Sequence, residues 1–175
     1  MKKIIITVIV TLTTMTSFAQ TQSSAHLSFK GVPIDGTLNE YVSKMKQNGF
    51  THVGTEDGIA MLKGDFAGYK NCTVGVATLK GKDLVSKITV IFPDCNTWSY
   101  LSSNYYTIKE LLTEKYGEPT EIVEKFDSYS EPKDDNSKMY EVIVNRCKYY
   151  TIYELENGTI ELSIGNNGTS TGFVK

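Results

Sequence analysis

Two glutamates near the C-terminal end of the chain have the spacing of a catalytic carboxylate pair. Asn157-Gly158 is typical of a two-residue hairpin turn, which would place Glu154 directly opposite Glu161 on the next strand. Such a pair could serve as a glycosidase dyad, hold a cation or be two solvated groups. The same pattern puts Tyr150 and Ile152 on that outward face. Exposed aromatic and aliphatic side chains favour partner binding, so we take these four residues as candidate binding residues.

Other residues that could do chemistry lack the context that the chemistry needs. Gly168 to Gly172 matches Gly-x-Ser-x-Gly, but a serine hydrolase needs a helix and the other triad residues downstream, so we expect a glycine-rich loop. Asp134 to Asn136 lacks the EF-hand spacing and is predicted to be a solvated loop. His26 and His52 have no second ligand at metal spacing. We therefore expect no catalytic residue, no cofactor and no metal.

The N-terminus has the pattern of a secretory signal peptide. Lys2 and Lys3 precede an apolar stretch from Ile4 to Leu12, and small side chains lead to Ala19. The stretch is shorter than the roughly 20 residues that span a bilayer. No cysteine near this point could carry a lipid anchor. We expect cleavage after Ala19 and a periplasmic or secreted mature chain of residues 20–175.

The composition of the mature chain limits its partners. The whole chain has 18 basic and 20 acidic residues, and loss of Lys2 and Lys3 leaves a net charge of −4. A negative chain of this kind argues against nucleic acid or an anionic membrane surface as partner. Its length fits one domain.

Three cysteines follow the signal, and export would place them in an oxidising compartment. One disulfide and one leftover thiol are then expected. Cys72 and Cys95 flank a predicted hairpin and could pair. Cys72 and Cys147 would close a longer loop and restrict the unfolded chain more, so we favour this second pairing.

A repeat with an offset of 70 residues organises the elements that carry these side chains. Thr37 to Ser43 recurs as Thr107 to Thr113. Each copy opens with the capping box Thr-x-x-Glu and continues with apolar residues at helical spacing. Each then stops at a glycine, Gly49 or Gly117, which is typical of a helix C-terminus.

Alternating apolar and polar residues after each helix predict strands. The first set lies near 59–67, 72–80 and 84–93, and the second near 120–126, 138–146, 148–156 and 159–165, with a possible further strand from Gly172. Trp98 to Tyr106 is predicted to be a short helix, and 128–137 an inserted loop. We predict an α+β fold of two tandem helix-plus-antiparallel-meander units, about 27–96 and 97–175. The helices cover one sheet face and leave the other open.

This plan resembles the β-lactamase-inhibitor-protein-like (BLIP-like) fold, and a single unit resembles small outer-membrane assembly lipoproteins of the same fold group. Phe29 to Leu38 and Gly64 to Tyr69 resemble segments of an exported bacterial protein family of uncharacterised function. Inhibitors of this fold bind an enzyme through an open sheet face, so the resemblance implies a binding role.

Three functions follow from these observations. The first is an exported, non-catalytic binding protein whose open sheet face contacts a protein or, alternatively, a glycan. The second is a structural component of envelope assembly. The third is a polymer hydrolase acting through Glu154 and Glu161.

The signal peptide gives the first testable prediction. Protein recovered from the periplasm or culture fluid should begin at Gln20, because a signal peptidase reads the small residues that end at Ala19. Mass spectrometry of the intact protein and of its N-terminal peptide measures this. Recovery of an uncleaved chain in the membrane fraction would show that the apolar stretch is an anchor.

Overall fold

The computed structural model describes residues 26–166 and the backbone of 168–174, with side chains described to residue 170. The predicted signal peptide lies outside these residues. The elements in chain order are β1 (Ser28–Phe29), β2 (Val32–Pro33), α1 (Leu38–Gln47), β3 (Thr51–Glu56), β4 (Ile59–Phe66), β5 (Tyr69–Thr78), β6 (Val85–Ile91), α2 (Trp98–Tyr116), β7 (Glu121–Phe126), α3 (Asp135–Ile143), β8 (Cys147–Leu155), β9 (Gly158–Gly165) and β10 (Gly168–Val174).

The described strands form one large sheet and one small one. The large sheet has eight antiparallel strands in the order β3-β4-β5-β6-β10-β9-β8-β7, and β1 pairs with β2 separately. Helix α1 therefore precedes one run of four strands, β3 to β6. Helix α2 precedes a second run, β7 to β10, which α3 interrupts, and the two runs meet where β6 pairs with β10. The predicted α+β class is confirmed.

The helices pack against a single face of the large sheet. Helix α1 contacts β3 and β5, α2 contacts β9 and β10, and α3 contacts α2, β8 and β9. Alternate side chains of the strands are buried beneath them, as expected where one face of an antiparallel sheet meets the core. Fully buried strand residues on this face include Ala60, Leu62, Val74, Val76, Ile88, Val90, Ile160 and Leu162.

Three tight turns set the strand registers in the first half of the chain. Both central residues have positive φ in Lys30-Gly31 (52° and 77°), Asp57-Gly58 (48° and 76°) and Ala67-Gly68 (50° and 85°). Two consecutive positive φ values are the requirement of a type I′ hairpin turn, and glycine at the second position meets it without strain. These turns place Phe29 opposite Val32 and Phe66 opposite Tyr69.

Helix α1 begins and ends as its sequence predicts. The Glu40 N–H donates to Thr37 Oγ1 (3.4 Å), and the Thr37 N–H donates to Glu40 Oε2 (3.1 Å), which completes the capping box. Gly49 has a φ of 86°, and the N–H of Phe50 donates to the Met45 carbonyl (3.1 Å). The left-handed glycine thus turns the chain so that Phe50 enters the core.

Helix α2 differs from the prediction at its start. A single helix runs from Trp98 to Tyr116 with Thr97 as its N-cap, so Thr107 lies inside it and the second capping box is wrong. The reason is tertiary, because one face of the helix is buried continuously from Trp98 to Leu112. Its predicted end is confirmed, since Gly117 has a φ of 87° and its N–H donates to the Thr113 carbonyl (2.9 Å).

Three further expectations are wrong. The predicted strand at 138–146 is largely helix α3, which Asp134 caps and whose Val142 packs in the core. The glycine-rich segment from Gly168 is not a loop but the central strand β10, because β6 and β9 bond it on both sides. The edge strand β3 was not predicted, since its side chains are almost all exposed and lack alternation.

The packing of Phe50 on β4 predicts a glycine that cannot be replaced. A Cβ on Gly64 would lie 2.4–2.8 Å from three atoms of the Phe50 ring. Gly64→Ala should therefore lower the free energy of unfolding by about 1–3 kcal/mol, as overpacking of a core does. Gly54→Ala is the matched control, because its Cβ would meet no atom within 4 Å. Urea unfolding measures both, and equal stabilities would contradict the packing.

Candidate functional site

The face of the large sheet that points away from the helices is the candidate site. We call it the open face, and on each strand it consists of the residues that alternate with the buried ones. Its large apolar side chains are partly or well exposed, including Ile59 at 43% and Met61 at 36%. The open face comprises Glu56, Ile59, Met61, Lys63, Thr73, Gly75, Ala77, Lys87, Thr89, Ile91, Ser170, Gly172, Thr159, Glu161, Ser163, Lys148, Tyr150, Ile152, Glu154, Glu121, Val123 and Lys125.

The strand registers place many of the small side chains of the open face near the middle of the sheet. The central strands β5 and β10 carry small residues there, such as Gly75 and Gly172, and β6 carries Thr89 between the larger Lys87 and Ile91, whereas bulkier side chains stand on the outer strands. One row across the sheet reads, in order, Met61, Gly75, Thr89, Gly172, Glu161, Ile152 and Glu121.

The predicted carboxylate pair is not directly opposed. Leu155 pairs with Gly158, so the turn is Glu156-Asn157, Glu154 faces Thr159, and Glu161 faces Ile152. A type I′ turn at Asn157-Gly158 would need positive φ at both residues, and only Gly158 has it (147°).

The turn therefore lies one residue earlier than predicted, which shifts the strand pairing by two residues. A shift of two keeps every side chain on its face. Tyr150, Ile152, Glu154 and Glu161 thus share the open face, with the two glutamates placed diagonally. The directly opposed dyad on which the hydrolase alternative was based is absent.

Tyr150 is held in place at the edge of the sheet. Its hydroxyl donates to Glu121 Oε1 on β7 (2.8 Å). This hydrogen bond is the main cause that raises the pKa of Tyr150, with burial and the charges of Glu121 and Glu161 adding to it. The phenol therefore stays protonated, and the Tyr150 side chain is partly exposed.

Charges divide the open face into two sides. Lys63 and Lys87 stand on β4 and β6, whereas Glu121, Glu154 and Glu161 stand on β7, β8 and β9. Glu56 at the β3 edge and the paired lysines Lys125 and Lys148 at one end of β7 and β8 are exceptions. Sequence reasoning missed the basic side, because the order of the strands cannot be read from the chain.

All three cysteines are free thiols. Cys72 lies on β5 and Cys147 on β8, with β6, β10 and β9 between them. Four strand spacings of about 4.8 Å separate them by roughly 19 Å, far beyond the ~7 Å limit between the Cα atoms of a disulfide. The favoured Cys72–Cys147 pairing is therefore not formed.

Cys72 and Cys95 are not bonded to each other either. Cys72 Sγ lies 3.7 Å from the Tyr69 carbonyl, and Cys95 Sγ accepts from Asn104 Nδ2 (3.1 Å). The Tyr69 hydroxyl donates to Asn104 Oδ1 (3.2 Å). Burial raises the pKa of both thiols, which keeps them protonated and poorly reactive.

The acidic segment Asp134-Asp135 is a capping junction and not a solvated loop. Asp134 accepts from the Ser137 N–H (2.9 Å) and caps α3. Asp135 caps the other helix, because its Oδ2 accepts from the Trp98 N–H (2.9 Å) and its Oδ1 from the Ser99 N–H (2.7 Å). The spacing of Asp134 and Ser137 could have revealed the first cap, but only the fold brings Asp135 to α2.

The histidines stay apart from the candidate site. His26 Nε2 lies 3.1 Å from Asp35 Oδ2, and His52 Nε2 lies 2.9 Å from Thr55 Oγ1. Within residues 26–166 and 168–170, no group of three or more His, Cys, Asp or Glu side chains could hold a metal ion.

Similarity to known proteins was tested in three ways. No protein-family model, no curated protein and no solved structure matches the chain. None of the described helices is long and apolar enough to cross a membrane.

The cap by Asp135 predicts a pH dependence of stability. Hydrogen bonds from Ser99 are the main cause that lowers the pKa of this carboxyl below its usual value of 3.8. A carboxyl whose pKa is lower in the folded than in the unfolded state stabilises the fold at pH values above its unfolded pKa of about 3.9. This stabilisation is lost as the pH falls through the folded pKa. Asp135→Asn should therefore reduce stability at pH 7 and by less at pH 2–3.

Urea unfolding of Asp135→Asn at pH 7, 5 and 3 measures this effect. Glu156→Gln in the exposed hairpin turn is the control, and we expect it to follow the wild type at each pH. A deficit of Asp135→Asn that is the same at every pH would show that the charge has no role in the cap.

Proposed function

We propose that this chain is an exported, non-catalytic binding protein that recognises another protein through its open face. The observation that carries the proposal is the chemistry of that face. A sheet face that only meets water is expected to be polar. Here Ile59, Met61, Ile91, Ile152 and Tyr150 stand on it between small and charged residues. Apolar side chains that no described element covers are typical of a surface that a partner buries.

The size and shape of the open face favour a protein partner. Eight strands have seven spacings of about 4.8 Å and a shared length of about six residues at ~3.3 Å each, which gives roughly 670 Å². A standard protein interface buries about 800 Å² per partner, and its apolar centre has a polar rim. Small molecules prefer enclosed pockets, so a broad face that no described helix covers argues for a macromolecule.

The charge division of the face favours one orientation of the partner. Lys63 and Lys87 would meet acidic groups, and Glu154 and Glu161 would meet basic ones. Complementary charges of this kind speed encounter and fix the relative orientation more than they strengthen binding. A partner with the opposite arrangement of charges is therefore expected.

The strand order supports the inference that the two helix-and-four-strand runs are repeats in a BLIP-like arrangement. The order is symmetric about the β6–β10 pair, with β3 and β7 at the two edges. Inhibitors of the BLIP-like fold, which the element pattern resembles, bind an enzyme through an open sheet face. An exported enzyme is accordingly the partner we favour, and a glycan is the alternative that the experiment must separate.

Substitution of two of the candidate binding residues, Tyr150 and Ile152 on β8, tests the proposal. Immobilised Tyr150→Ala/Ile152→Ala should recover at least about tenfold less partner than the wild type from envelope extract and culture fluid. Substitution of an anchor residue by alanine costs more than about 1 kcal/mol of binding free energy, and the loss of two anchors therefore weakens binding at least about tenfold. The partner is identified and quantified by mass spectrometry.

Tyr129→Ala/Ile143→Ala is the matched control, since it removes the same residue types from exposed positions outside the open face. It should recover as much partner as the wild type. Equal losses in both double variants would show that binding is not a property of the open face. Binding to a glycan array with no protein recovered would assign the face to the alternative ligand.

A further inference from the structure

A second surface, on the helix side of the sheet, has the features of a small-molecule site. A groove of about 240 Å³ lies where the β1–β2 hairpin and the β4–β5 turn approach helix α2. The groove lies between the two runs of the chain. The β1–β2 hairpin precedes the first run, the β4–β5 turn belongs to it, and α2 precedes the second run. Its lining consists of Ser28, Phe29, Lys30, Phe66, Ala67, Ile108, Leu111, Leu112, Lys115 and Tyr116.

The inside of the groove is apolar. Phe29, Ile108 and Leu112 are almost fully buried and anchor it in the core, and the rings of Phe29 and Phe66 pack with centroids 4.9 Å apart. Leu111 is 44% exposed, on a helix whose neighbouring Leu112 is buried. An exposed leucine beside an apolar floor loses contact with water when an apolar chain enters.

The charged residues that line the groove are both lysines. Lys115 Nζ lies 4.9 Å from the centroid of the Tyr116 ring, so its ammonium sits at the wall of the groove. Lys30 occupies the first position of the Lys30-Gly31 turn. Within the described part of the chain, neither lysine forms an ion pair within 4 Å, although the pKa of the nearby Asp65 is lowered by its hydrogen bond with Lys70 and, to a lesser extent, by the charge of Lys30. The nearby Asp65 is engaged by Lys70 Nζ (2.6 Å) and the Asn71 N–H (3.1 Å).

The acidic residues of helix α2 lie on a different side from the groove, together with Lys109. Leu111 and Lys115, four residues apart, line the groove, whereas Glu110 and Glu114 line a different cleft with Tyr106 and Thr113. Residues four apart share a helix face, so the acidic ridge is turned away from the groove. A chain with more acidic than basic residues thus keeps carboxylates out of this lining.

We propose that the groove binds a medium-chain fatty acid. The acyl chain would lie on Phe29, Phe66 and Leu111, and the carboxylate would meet the ammonium groups of Lys30 and Lys115 at the mouth. Lysines can reach such a head group, because their stems lie along apolar surface while the charge stays in water. The volume is near the lower end of ligand pockets, which suits one acyl chain. This site is independent of the open face.

Isothermal titration with three ligands of equal chain length tests the proposal. Decanoate should bind one-to-one, and at least about tenfold more tightly than decanol, since one attractive charge contact of about 1.4 kcal/mol changes affinity tenfold. Decyltrimethylammonium should bind more weakly than decanol. Methyl NMR shifts on adding decanoate should centre on Ile108, Leu111 and Leu112.

Variants at the mouth assign the charge. Lys30→Asn/Lys115→Gln should weaken decanoate binding about tenfold and leave decanol binding unchanged. Asparagine suits position 30, because it tolerates the φ of 52° there. Lys63→Gln/Lys87→Gln removes two lysines from the open face as the control and should bind decanoate as the wild type does.

Four results would overturn the proposal. The first is that decanoate shows no saturable binding, although urea unfolding shows that the protein sample is folded. The second is equal affinity for decanoate and decanol. The third is an equal loss in the control variant, which would mean adsorption by net charge. A Leu111→Ser variant that binds decanoate unchanged would likewise remove the groove from consideration.

Discussion

The pairing of β6 with β10 is the contact on which the rest of the molecule depends. It joins two four-stranded runs into one eight-stranded sheet through a register that extends from Ile91 opposite Ser170 to Lys87 opposite Val174. Because the sheet is continuous across this join, one hydrophobic core extends beneath all three described helices. The open face and the apolar groove both span the two runs, so neither would exist in an isolated half.

Polar contacts at the helix–sheet boundary determine where α2 lies. The Tyr105 hydroxyl is hydrogen-bonded to Thr151 Oγ1 (2.5 Å) in the core, and the Tyr153 hydroxyl donates to the Lys109 carbonyl (3.0 Å). Lys109 Nζ also forms a half-buried ion pair with Glu124 Oε1 (2.6 Å). A buried polar group without its partner costs about 1–3 kcal/mol, so these contacts disfavour any shift of the helix along the sheet. The groove beside Leu111 keeps its shape as a result.

The two proposed sites use the two sides of the molecule in different ways. On the sheet side, Lys63 and Lys87 stand on one side of β10 and Glu121, Glu154 and Glu161 on the other, which is the basis for proposing a protein partner there. On the helix side, two hairpins and α2 enclose a narrow apolar groove whose charged residues, Lys30 and Lys115, have one sign. The two proposals thus differ in the shape of the surface, which separates a protein partner from a small molecule as the expected ligand.

Local signals in the sequence determined the α+β class, the caps of α1, the end of α2 at Gly117 and the sharing of one face by Tyr150, Ile152, Glu154 and Glu161. Each of these depends on residues that are close in the chain, through capping, left-handed glycine or a period of two. Only the tertiary structure decided the order of the strands, the start of α2 at Trp98, the helical state of α3 and the separation of Cys72 from Cys147. Those features depend on burial and on hydrogen bonds between distant segments, such as Asp135 with Trp98 and β10 with β6, and local propensity does not encode them.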